Sequence, residues 1–271
     1  MNFDLVSGVP DDLQATGIPT PDPSSTDSSL AGTSHISADS MSNVAGTELS
    51  DPNDLPCNQV LHQLVELFFE HMYPQLPCFH KATLKKEIQA RVLHTEAPSF
   101  LYALCAISAR YHQDPTIRNK GQDFYEMAKV AYDMSLRDPE PALRTIQTAL
   151  LVISHGLAVG DFSASWLTVG KVWRQVSVLG LNRMDTPGQV NVYGMSHKMP
   201  QSAVVKEEYR RTLWMLFNMD RNHAWPTGWP NAIDERQFKV DIPVPDEVFQ
   251  AMTAEVRIFE CECTYHCQAK N

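Results

Sequence analysis

The chain holds six cysteines and ten histidines, so metal ligation and thiol chemistry are the first chemistries to consider. The densest group is Cys261-x-Cys263 followed by His266 and Cys267. A structural zinc site needs four ligands, commonly in C-x2-C pairs that wrap one ion. Such pairs are absent, and the group reads as a frayed helix end carrying thiols. Cys78 and His80 flank Phe79 without evident partners and read as core or loop residues. Ser154-His155 falls inside a helical stretch, where neighbours point about 100° apart and cannot form a nucleophile–base pair. Glu207-Glu208 stands beside Arg210-Arg211, a pattern expected of a solvated charged face. No G-x-S-x-G, H-E-x-x-H, G-x-G-x-x-G or phosphate loop occurs. The expectation is a chain without catalytic residues, metal ligands or a bound cofactor.

Charge narrows the classes further. Residues 1–54 contain eight Asp and Glu48 but no Lys or Arg, giving −9. Taking that from the whole-chain −10 leaves −1 for residues 55–271. The longest basic doublets are Lys85-Lys86 and Arg210-Arg211. A basic stripe able to displace counterions from phosphates is therefore missing, and no direct nucleic-acid contact is expected. The most apolar stretch, Ala149–Gly160, is short of the roughly 20 residues of a membrane span and is broken by Ser154, His155 and Gly156. No membrane contact is expected, and no secretory signal is visible. The cysteine spacing does not suggest a disulfide framework, which favours a reducing compartment.

The elements that must position any site are helical. Residues 1–54 are Ser-, Thr- and Pro-rich and acidic, a composition that cannot bury enough apolar surface to offset chain entropy. They read as a disordered tail. Phe3-Asp4-Leu5-Val6 and Asp11-Asp12-Leu13 resemble the acidic-hydrophobic alternation of activation segments. From Pro56 apolar residues recur every three or four positions. Helices are predicted up to about Tyr73, over Lys81–Leu93, from Pro98 to Tyr111 with Ser99 as N-cap, and over Lys120–Leu136. Others are predicted from Ala142, over Ser163–Leu179, Val204–His223, and Asp246 to about Glu260. Gly170, between Trp166 and Trp173, suggests close helix approach, and Gly180 stands where a C-cap glycine would. Glu207 and Arg211 are expected to pair on the outer surface. Residues 183–203 form a long polar loop, and Trp225–Pro245 an irregular excursion. The fold class is all-α, an irregular multi-helix bundle: residues 1–54 as tail, 55–260 as helical domain, 261–271 as a frayed end.

The most informative stretch is Glu207–Pro245. Arg210, Arg211 and Trp214 follow Glu207; Asp220-Arg221 closes an apolar run; Gly228-Trp229-Pro230 and then Pro243 come after. Upstream, Trp166, Gly170 and Arg174 lead to Leu179-Gly180-Leu181, and Phe68-Phe69 to Pro74 and Pro77. In order and spacing these residues, over roughly 58–249, resemble the regulatory middle-homology domain of fungal binuclear zinc-cluster transcription factors. Trp229 replaces the family's usual Arg, and Asn182 its usual His.

The resemblance implies transcription regulation in the nucleus, through co-regulators, a dimer partner or a small-molecule effector. It also implies what is missing. The family's DNA-reading module holds two zinc ions on six Cys beginning C-x2-C-x6-C, next to a basic helix. Only Cys57 occurs in the first 77 residues, and the first basic residue is Lys81. Zinc would belong to that module and not to this chain. The family domain continues through further helices, so a truncated end is expected at 261–271. The motif positions Trp166, Gly170, Arg174, Gly180, Glu207, Arg210, Arg211, Trp214, Asp220, Arg221, Gly228 and Pro230 are expected to be structural or regulatory. Two alternatives stand beside this reading. One is a helical small-molecule-binding protein or enzyme, with Trp166, Trp173, Trp214 and Phe217 lining an apolar pocket. The other is a fragment that titrates a full-length relative.

Overall fold

The computed structural model describes residues 55–135, 142–186 and 202–253. All of these belong to the second of two units, residues 47–271. The acidic tail, most of the long polar loop and the Cys261–Cys267 group lie outside the described residues. Every regular element among the described residues is helical.

Helix α1, Asn58–Leu67, runs into one π-helical turn at Phe68–Met72. Its apolar face buries Leu61, Leu64, Val65, Phe68 and Met72, as the three- and four-residue spacing predicts. The stretch read as one helix over Lys81–Leu93 is two, α2 (Lys81–Gln89) and α3 (Val92–Glu96). The break falls at Arg91, whose φ of 57° cannot continue a right-handed helix. Helix α4, Pro98–Ala109, is buried along almost its whole length from Ser99 onward. Its N-cap is Ala97 and not Ser99, because Pro98 occupies the first helical position, where its missing N–H costs nothing.

Short α5, Pro115–Asn119, was not foreseen; the Asp114 carboxylate caps it by accepting from the Thr116 N–H at 2.8 Å. Then follow α6 (Gly121–Ser135), α7 (Ala142–Val159) and α8 (Phe162–Val178). Gly180 ends α8 with a φ of 72°, a left-handed residue just past the helix. A 3-10 turn occupies Leu181–Arg183. Helix α4 is central, packing on α1, α6 and α7, while α7 and α8 both pack on α9.

Helix α9 spans Ala203–Thr227, longer than predicted, and passes through Pro226 to end at Gly228 with a φ of 69°. A 3-10 turn at Glu235–Gln237 interrupts the otherwise irregular chain that follows. Helix α10, Asp246–Ala251, ends at Met252, which adopts an extended ψ of 137°, and residues 254–260 of the predicted run lie outside the described residues. No described helix is long and apolar enough to cross a membrane.

Candidate functional site

The motif residues of α9 meet in one place: they fasten the chain that follows, residues 228–253, back along α9. The strap runs antiparallel to the helix, so later strap residues bind earlier helix residues. Nearest the turn, the Asp220 carboxylate is fully buried. It accepts from the Ala232 N–H at 2.8 Å, the Ile233 N–H at 3.1 Å and Arg221 at 3.0 Å. Arg221 also donates to the Ile233 carbonyl and to Glu235, and lies over the Phe217 ring. A buried carboxylate is stable only when its lone pairs are satisfied, and here two strap amides and a guanidinium do so.

The middle of the strap is held by rings. Phe238 lies 5.0 Å from Phe217, 5.1 Å from Trp214 and 6.4 Å from Trp173, centroid to centroid. Trp214 also donates its indole N–H to the Asp241 carbonyl at 2.8 Å. The rings expected to line a pocket are thus packed around a strap residue, and Trp166 rests on Trp229, 5.1 Å away. Pro230 belongs to the same contact, its carbonyl accepting from the Trp166 indole at 3.2 Å.

The far end is ionic. Glu207 accepts from the Val244 N–H at 2.8 Å and from Arg211 at 3.2 Å. Arg211 reaches the Pro77 carbonyl, the Val244 carbonyl and Asp246, and stacks over Phe249 at 4.2 Å. Arg210 forks onto Asp185 at 2.9 and 2.6 Å. Asp185 in turn accepts from the Asp241 N–H at 3.0 Å and pairs with Lys206. Burial alone would raise the Asp185 carboxyl, but the Arg210, Asp241 and Lys206 hydrogen bonds outweigh it and hold the group at about 2.

Three expectations are corrected here. Glu207 and Arg211 do pair at i,i+4, but at 1% and 6% exposure, not on the outer surface. Glu208 is not solvated: it is wholly buried. It accepts from the His80 N–H at 3.0 Å and meets Arg144 at 3.4 Å. Burial pushes its carboxyl above the usual range, with Arg144 offsetting part of the rise. Gly170 does not receive another helix. A Cβ there would stand 3.1 Å from the Arg174 guanidinium and 3.8 Å from Ala232 Cβ, so the close neighbours are the strap and Arg174, which donates to the Gly170 carbonyl at 2.9 Å. Both departures from the family pattern also serve the strap. Trp229 packs at a tilt against Trp166, and the Asn182 side-chain amide donates to the Gln237 carbonyl.

Sequence reading missed a second polar cluster. Arg144, 4% exposed, bridges Glu87 at 2.7 Å and Glu208. Gln147 donates to the Cys78 carbonyl at 2.8 Å. Arg144 and Gln147 sit three apart in the apolar run of α7, the one available signal that a polar pair was being buried.

Among the described residues the groups singled out from the sequence do not form a catalytic arrangement. Burial pushes the Cys78 and Cys105 thiols up, so both stay protonated and unreactive. Ser154 donates to the Leu150 carbonyl and makes no bond to His155. The described residues do not fit the family's zinc cluster: their cysteines are Cys57, Cys78 and Cys105, and no trio of His, Cys, Asp or Glu among them could hold a metal.

Comparison with known proteins gives one consistent outcome. The profile for the fungal specific transcription factor domain matches residues 65–261. The Zn(2)-C6 fungal-type transcription factor FTF1c of Fusarium oxysporum f. sp. lycopersici is 27% identical over 204 residues, covering 72% of this chain and 21% of that protein. The ascochitine biosynthesis cluster transcriptional regulator of Didymella fabae is 26% identical over 197 residues, covering 70% of this chain and 32% of that protein. The chain thus spans about a fifth to a third of these curated relatives. No solved structure matches it.

Proposed function

The chain belongs to the fungal specific transcription factor domain family, and from that premise we propose that it regulates transcription through protein contacts or an effector, without reading DNA itself. The observation that carries this reading is where the motif arginines point. Arg210, Arg211 and Arg221 are all engaged with carboxylates and carbonyls of the α9–strap clasp. They are not presented to phosphates, which DNA affinity requires. The charge of −9 in residues 1–54 points the same way. Its acidic-hydrophobic clusters have the composition of segments that bind co-regulators.

Within this reading α9 and its strap form the framework of the domain. Co-regulators, a dimer partner or a small-molecule effector act on that framework, and the site of action is the nucleus. Zinc has no role in the described part. The test is a reporter assay with the whole 271-residue chain fused to a foreign DNA-binding domain in a fungal nucleus. The expected result is a change in reporter output, of either sign, that is weakened by Arg211→Ala. An unchanged reporter with the fusion intact and nuclear overturns the proposal.

A further inference from the structure

The strap is fastened at two places and forms a loop between them. Asp220 holds the Ala232 and Ile233 amides at one end, and Asp185 holds the Asp241 N–H at the other. The residues between, 234–240, fold on themselves through the 3-10 turn. The Asp234 carboxylate accepts from the Arg236 N–H at 3.0 Å, and the Asp234 carbonyl from the Gln237 N–H at 2.9 Å. Glu235, Arg236, Gln237 and Lys239 are exposed. Among the described residues, this loop reaches the bundle through Phe238, Val240, the Glu235–Arg221 pair and Asn182. The Phe238 ring enters a slot between Trp173 of α8 and Trp214 and Phe217 of α9. Beside the slot, the Asn182 side-chain amide donates to the Gln237 carbonyl at 3.0 Å. The Asn182 backbone carbonyl accepts from the Lys239 N–H at 2.7 Å.

Phe238 and its two neighbouring peptide groups are thus held as a ligand is held: a ring among rings, one acceptor and one donor on the same Asn182. Neither hydrogen bond belongs to a helix ladder, so the loop can lift while both fastened ends and the bundle stay in place. Lifting it uncovers an apolar slot with a donor and an acceptor at its edge, the form of a small-molecule site. Outside Phe238 an open groove of about 390 Å³ runs on past Asp185, Thr186 and Val240, room for more than one ring. Around that groove Asp185, Asp241 and Glu207 stand against Arg210, Lys206 and Lys239. Three acids facing three bases leave no net charge to select an ion, and the occupant that fits is neutral.

We propose that the slot under Phe238 is a binding site for a neutral aromatic amide, which displaces the loop 234–240 and takes over its two hydrogen bonds to Asn182. The proposal names the chemistry of the effector, and in that it rests on the regulatory reading above. The tethered Phe238 competes at an effective concentration in the millimolar range. A ligand that wins therefore exceeds a single phenyl ring and fills part of the groove as well. Its apparent affinity is the intrinsic one scaled by the fraction of chains whose loop is lifted, so Phe238 sets the threshold at which the ligand acts.

A titration of the full 271-residue chain with N-acetyl-L-tryptophanamide, followed by NMR and amide hydrogen exchange, tests it. The probe carries two fused rings, an acceptor and a donor. Saturable binding is expected, with exchange at the Lys239 amide about tenfold or more faster in the complex and the Ile233 amide unchanged. Phe238→Ala removes the competing ring and should tighten the apparent Kd about tenfold or more, the factor that one well-buried apolar side chain gives. Phe238→Leu should tighten it by a smaller factor and decides the matter should the alanine variant fail to fold. No saturable binding to the parent chain, binding that leaves the Lys239 amide protected, or an affinity indifferent to these substitutions would each overturn the proposal. Reporter output plays no part in the measurement, so absent binding counts against this site alone and a silent reporter against the regulatory reading.

Discussion

Arg211 does more than any other side chain of the clasp, because its guanidinium joins three separate pieces of chain. It donates to Glu207 on its own helix, to the Pro77 carbonyl before α2, to the Val244 carbonyl of the strap and to Asp246 at the start of α10. Only a planar fork can serve so many acceptors at once. Arg211→Ala is therefore expected to cost about 3–5 kcal/mol, the range for removing one partner of a buried ion pair. Arg211→Lys keeps the charge but loses the fork and the face that covers Phe249, and should recover less than half of the loss. Urea unfolding of the three proteins checks both figures. Equal stability of the Lys variant and the parent would show that charge alone matters at this position.

One element, the strap, depends on partners outside itself. Its backbone amides at Ala232, Ile233, Asp241 and Val244 are satisfied by Asp220, Asp185 and Glu207, not by a helix ladder. Such a segment can open without the bundle opening, because few of its hydrogen bonds belong to the cooperative core. Asp220→Ala orphans the Ala232 and Ile233 amides and removes one of the partners of Arg221, at roughly 1–3 kcal/mol per buried group left unpaired. The expected outcome is hydrogen exchange about tenfold or more faster at Ala232 and Ile233, with α4 amides unchanged. Asp220→Asn keeps one acceptor and should fall between. Equal acceleration in α4 would mean that strap and bundle unfold as one unit.

The same element explains what was legible in the sequence. The runs from Val60 to Met72 and from Phe100 to Ala109 declare themselves, since apolar periodicity reports burial directly. Glu207 and Arg211 do not. An i,i+4 acid–base pair reads the same whether it faces water or a covering segment, and the cover here is irregular chain with no period. The family resemblance marked residues of α9 without saying what they do in the fold. Their common task, holding the strap, shows only when residues 207–221 and 232–246 are seen side by side. Arg91 was invisible for a different reason: a left-handed arginine carries no compositional signal.

At the scale of the whole molecule the question is what a domain of this family built this way can touch. A duplex-binding surface works by releasing counterions, and each neutralised phosphate adds about −0.9 to the slope of log K against log salt. Lys and Arg number 22 against 32 acids, for a net −10. The positive charges that look most like a binding stripe, Arg210, Arg211 and Arg221, are paired inward. Lys81 and Lys85 share Glu66, and Lys206 sits on Asp185. Freeing three or four such groups for phosphates would dismantle the clasp, at a cost comparable to the 5–15 kcal/mol stability of a typical domain. The 271-residue chain is therefore expected to bind random duplex DNA more weakly than about 10⁻⁴ M at physiological salt, the weak end of non-specific binding, and to show no salt slope. A fluorescence anisotropy titration between low and physiological salt reads both quantities. A slope of about −3 or steeper would mean that several basic groups reach phosphates together. The clasp would then have to open on DNA, and its ion pairs would be a switch instead of a framework.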